Sequence, residues 1–107
     1  MPYIVVTSWY PSHKALEVAP KYLEAMQAVP DDENLYSSVV PVAVTTTKDG
    51  FKTTSISEVK PGKLEEALEL GQKRLVMFWE IEGFEYSIEV QSTAAEALAR
   101  IGMSTPE

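Results

Sequence analysis

Lys48-Asp49-Gly50 stands between two runs of strand character, residues 39–47 and 51–59, and an amphipathic helical segment flanks each run. Asp-Gly between alternating residues is a strong local signal for a tight hairpin. A hairpin flanked by helices, with one more strand beyond each helix, leaves few topologies open. The order is β-α-β-β-α-β, the split βαβ plan, with four strands in one antiparallel sheet and both helices crossing the same face. The 107 residues give room for one domain and one core, spanning residues 1–107.

The outer elements follow from periodicity. Residues 3–10 are rich in β-branched and aromatic side chains and read as the first strand. Pro11 ends it, because proline donates no ladder hydrogen bond, and Ser12 offers a helix N-cap. Over residues 13–29, Leu16, Ala19, Leu23 and Met26 recur at helical spacing, with Ala15 and Tyr22 beside them. Pro20 interrupts this segment at a cost of ~3 kcal/mol in a helix interior. The stripe runs through it, so a kinked helix is expected. After a polar loop and the hairpin, Lys60-Pro61-Gly62 turns the chain into a long helix over residues 63–82. Leu64, Leu68, Leu75 and Phe78 form its stripe, Glu65 and Glu66 suit its positive end, and Gly83 lies beyond its C-cap. Residues 84–91 are the fourth strand, and Thr93-Ala94-Ala95-Glu96 fits a capping box opening a short helix that ends near Gly102.

The strands differ in how many faces they want buried. The first is apolar on both faces: Tyr3, Val5 and Trp9 oppose Ile4, Val6 and Tyr10. The second resembles it, through Val40, Val42 and Val44 against Val39 and Ala43. A sheet covered on one side alternates cleanly, as the fourth strand does with Tyr86, Ile88 and Val90 against Glu85, Ser87 and Glu89. The third, with Thr53, Thr54, Ser55 and Ser57, is polar for a buried strand. A second copy packed over the apolar part of the open face accounts for this pattern, so a homodimer or higher oligomer is expected.

Composition narrows the function classes. The net charge of -7, with nine scattered basic residues, disfavours nucleic acid and an anionic membrane surface. Without cysteine, disulfides, thiolate metal sites, iron–sulfur clusters and thiol nucleophiles are excluded, and a single histidine rules out a histidine metal cluster within one chain. No cofactor is expected. No apolar run approaches a membrane-spanning length of ~20 residues, and the first residues lack a basic leader, so a cytoplasmic location is expected. Asn34 is the only asparagine and glutamate dominates the acids, which leans towards heat stability.

In element order and length the chain resembles the dimeric α/β-barrel superfamily of ferredoxin-like proteins. The segment Met77-Phe78-Trp79-Glu80-Ile81-Glu82-Gly83-Phe84-Glu85-Tyr86 also looks like that of small archaeal-type proteins. The resemblance implies two sheets packed face to face across a two-fold axis. That superfamily spans cofactor-free monooxygenases, haem-dependent enzymes, isomerases and plain ligand-binding modules, so the fold leaves the function open.

Candidate site residues come from chemistry. His13, at the start of the first helix, is the chain's one imidazole, the side-chain type suited to acid–base work near neutrality. Glu89 projects from the wetter face of the fourth strand, where a covering sheet would raise its pKa and make it a general base. Trp9, Trp79 and Tyr86 are candidate walls of an aromatic pocket bounded by the first strand, the second helix and the fourth strand. The expectation is a homo-oligomeric module that binds a small apolar or aromatic molecule. The alternative is a small cofactor-free oxygenase or isomerase using His13 or Glu89 as proton acceptor. Mid-helix Pro20 and the hydroxyl-rich third strand break local rules, as in an engineered derivative of a stable scaffold with a cavity cut into it.

Overall fold

Strand β1 (Tyr3–Tyr10) is paired on both sides, with β3 (Gly50–Val59) and with β4 (Glu85–Gln91), and both pairings are antiparallel. Strand β2 (Tyr36–Thr47) joins the far edge of β3, giving the order β2-β3-β1-β4. The computed structural model describes residues 1–106. Its helices are α1 (Ala15–Ala28), preceded by a 3-10 turn at Ser12–Lys14, α2 (Leu64–Val76) and α3 (Ala94–Ala99). The chain is thus α+β, with a four-stranded antiparallel open sheet in the ferredoxin-like order.

The hairpin closes at the Thr47–Gly50 pair, with Lys48 and Asp49 at its tip. Neither tip residue takes a positive φ; Gly50 does, at 140°. A Cβ at Gly50 would stand 2.2 Å from the carbonyl oxygen of Tyr10, so glycine lets the start of β3 pass close over the end of β1. Strand β2 shifts register on both sides of Val40. Pro41, which has no N–H for the ladder, lies in this irregular stretch.

Cross-strand partners share a face, which fixes the orientation of the whole sheet. Ile4, Val6 and Ser8 of β1 stand beside Ser57, Ser55 and Thr53 of β3 and beside Val90, Ile88 and Tyr86 of β4. This is the helix side, since Val6 and Ile88 pack with Leu64 and Leu68 of α2. Tyr86 and Ile88 therefore lie under the helices and Glu89 on the opposite face, as the alternation of β4 predicts. The opposite face carries an apolar row, Val40, Ile56 and Val5, that ends at Glu89, and a polar-aromatic row, Lys52, Trp9 and Glu85.

Helix α1 turns a different stripe inward from the one its leucines suggest. Val18 and Ala25 are buried, whereas Leu16 is 89% and Leu23 62% exposed. Val18, Tyr22 and Ala25 also recur at helical spacing, and these residues pack with Phe78, Ile81 and Phe84. The helix is continuous through Pro20, which is on its exposed side, where water can bond the carbonyl that loses its partner. Helix α2 is shorter than its apolar pattern predicts. From Met77 on, each amide of Met77, Phe78 and Trp79 bonds the carbonyl three residues back, which tightens the chain into turns. Helix α3 begins as predicted: the Thr93 hydroxyl accepts from the Glu96 amide at 3.1 Å, and the Glu96 carboxylate accepts from the Thr93 amide at 2.8 Å.

The helix-side core comes in two parts. One gathers Ile4, Leu35, Tyr36, Val59 and Ala67 beneath α2. The other joins Val18, Ala25, Phe78 and Ile81, with Phe78 and Phe84 stacked at 4.7 Å between ring centres.

Candidate functional site

Between these two clusters the helices stand off from the sheet, and a cleft of about 310 Å³ opens. Small side chains explain it. Its floor includes Ser8 of β1 and Thr53, Ser55 and Ser57 of β3, and its roof includes Ala25, Ala67 and Gly71. None of these can fill the space between a sheet and helices. Gly71 is the plainest case: a Cβ built there would meet no atom within 4 Å, so no crowding requires glycine at this mid-helix position. The walls are apolar, with Val18, Tyr22 and Met26 from α1 and Leu70, Leu75 and Phe78 from α2. The irregular part of β2 supplies Pro41 and Val42.

The hydroxyls of the floor divide into two sets. Ser8 Oγ and Thr53 Oγ1 hydrogen-bond each other. Ser38, Ser55 and Ser57 also line the cleft, and among the described residues their side chains have no protein hydrogen-bond partner. Ser38 is exposed and Ser55 and Ser57 are half-buried, so all three hydroxyls are open to water or a ligand.

One end of the cleft is a charged cluster. Arg74 of α2 donates from Nε to the carbonyl of Val29 at 2.7 Å and from Nη2 to Asp31 Oδ1 at 3.0 Å. Val29 caps α1, so the guanidinium satisfies a carbonyl that a helix end leaves without an intrahelical partner. Tyr36 Oη donates to the same Asp31 oxygen at 2.5 Å. The Tyr36 hydrogen bond and then the Arg74 guanidinium hold the Asp31 carboxyl below its ordinary range, against the effect of burial. Burial first, and the Asp31 carboxylate second, push the Tyr36 phenol up to about 12.

The five residues singled out by chemistry lie elsewhere. His13 is exposed in the 3-10 turn, and Glu89 is exposed on the opposite face of the sheet. Trp9 is on that opposite face too, 39% exposed. Trp79 and Tyr86 do meet, with Trp79 Nε1 donating to Tyr86 Oη at 2.8 Å, but Trp79 is 67% exposed. None of the five lines the cleft. The cleft is bounded by β1 and α2, as the expected pocket was, and otherwise by β2, β3 and α1 rather than β4. Glu80, near the end of the Phe78–Ile81 turns, is bonded to Lys21 of α1 at 2.6 Å.

The polar third strand was linked in the sequence to a cavity, but not to a place for it. The missed signal is that Thr53, Ser55 and Ser57 share a face with Phe51 and Val59. A polar centre between apolar ends on a helix-covered face marks a place where the helices do not close down. Gly71, mid-helix and without a steric reason, marks the same place from the other side.

Among the described residues, no group of three His, Asp or Glu side chains is arranged to hold a metal ion. No helix among them is long and apolar enough to cross a membrane. No family model matches the chain, and comparison with curated proteins and with solved structures finds no match either.

Proposed function

We propose that this chain is a module that binds a small, mostly apolar molecule in the cleft between helices and sheet, and that it works as a homodimer. The observation that carries the reading is the cleft itself. Its volume of about 310 Å³ falls at the small end of ligand pockets, which run from roughly 300 to 1,000 Å³. Its makeup, apolar walls with a few convergent polar groups, is also that of a ligand pocket. Removing apolar surface from water on both partners supplies the driving force, at roughly 25 cal/mol per Å². The binding reading is favoured over the catalytic one by the state of the acid at the cleft. Asp31 accepts two hydrogen bonds on Oδ1, one of them from the ion-paired Arg74, and both favour its charged form, which makes it a weaker proton acceptor.

Support for the homodimer comes from the opposite face of the sheet. The apolar row Val40–Ile56–Val5 crosses three strands there, and Trp9 stands on the same face two rows away, beyond Thr7 and Thr54. Pairing two such faces is the assembly of the dimeric α/β-barrel superfamily, and it leaves the cleft free on the helix side.

Titration with naphthalene tests the binding reading, comparing the protein with its Gly71→Phe variant. The added ring would project from α2 into the cleft. Saturable binding that the variant loses while keeping its fold supports the site; equal binding by both places the ligand elsewhere.

A further inference from the structure

We infer that the cleft selects uncharged molecules bearing a hydroxyl or carbonyl group, and reads that group with the Ser55 and Ser57 hydroxyls; this deepens the binding reading above and rests on it. Three observations combine. First, one cation and one carboxylate line the cleft, Arg74 and Asp31, and they are spent on each other at 3.0 Å. An anionic ligand would have to displace Asp31, and a cationic one Arg74. Either exchange gives up the Arg74–Asp31 contact already made, so what the ligand gains is offset by what the protein loses. Secondly, Tyr36 already donates its one proton to Asp31, so the phenol does not offer a strong donor to an anion. Thirdly, the groups left over are neutral. Ser38, Ser55 and Ser57 present hydroxyls without protein partners, and a hydroxyl both donates and accepts.

Ser55 and Ser57 are two residues apart on β3, so both project into the same cleft from one strand. Their spacing suits one oxygen seated between two hydroxyls, with the carbon skeleton against Leu70 and Phe78. A bare hydrocarbon fits the walls but leaves the serines facing apolar surface, which costs affinity because polar groups then lose water without replacement. A carboxylate gains nothing from the neutralised Arg74 and meets a protein of net charge -7.

Three probes of one skeleton separate the possibilities: naphthalene, naphthol and naphthoate, titrated at neutral pH by fluorescence against the protein and three variants. For the unaltered protein we expect naphthol to bind tightest and naphthoate at least tenfold more weakly. The Ser55→Ala, Ser57→Ala double variant should lower naphthol affinity about tenfold, towards that of naphthalene, while naphthalene binds as well or better. Ser55→Thr and Ser57→Thr keep the hydroxyls and should retain the naphthol preference. Thermal unfolding of each variant checks that the fold persists. Naphthoate binding as tightly as naphthol overturns the inference, and so does a serine double variant that weakens all three probes equally or none. If none of the probes binds the unaltered protein, the binding reading itself fails and takes this inference with it.

Discussion

Tyr36 is, among the described residues, the titratable side chain moved furthest from its ordinary range. Its phenol is pushed from 10.0 to about 12, so between these values the folded chain holds a proton that the unfolded chain has released. Stability therefore falls as pH rises through that window. Two units correspond to roughly 2–3 kcal/mol at the upper end. Urea unfolding followed from pH 9 to 12 should show this decline, and Tyr36→Phe should remove its share of it while lysine titration remains in both. A decline identical in the two proteins would mean the phenol is not held as described. Asp31 acts with the opposite sign: its lowered carboxyl contributes stability above the ordinary carboxylate range, lost as pH falls through the depressed value.

At the scale of elements, what could be read from the sequence was the part governed by local chemistry. The Asp-Gly hairpin, Pro11 as the end of β1, the Thr93–Glu96 capping box and the alternation of β4 all depend on near neighbours, and the structure bears out each. The inward stripe of α1 was not legible, because Leu16–Ala19–Leu23 and Val18–Tyr22–Ala25 have the same period. Only the fit against Phe78 and Ile81 decides between them, and that is a tertiary matter. The end of α2 was hidden for a related reason: Phe78 and Ile81 keep the apolar rhythm of a helix while their backbone has tightened into turns. The site was hidden further still. Cavities come from what side chains fail to fill, and serines on β3 signal one only once both helices are known to cross above them. Pro20 gives a test at this scale. Because α1 is continuous through an exposed Pro20, Pro20→Ala should restore a backbone donor and raise stability by about 1–3 kcal/mol. A melting temperature unchanged or lowered would mean that proline is already suited to its place.

For the whole molecule, the sheet separates two faces with different roles. The helix side holds the cleft, with its small side chains and neutral hydroxyls. The opposite side carries the Val40–Ile56–Val5 row on which the proposed homodimer depends. Light scattering at micromolar concentration should report a species at least twice the 11.9 kDa of one chain. A single species of one-chain mass would remove the assembly, but not the cleft. The most direct test of the central claim is a naphthalene titration followed residue by residue in amide proton–nitrogen correlation spectra. The account predicts saturable shifts centred on Thr53, Ser55, Ser57, Gly71 and Arg74, lost in Gly71→Phe. Shifts centred instead on Trp9, Glu85 and Glu89, or an unaltered response in the variant, would contradict it and move the site to the other face of the sheet.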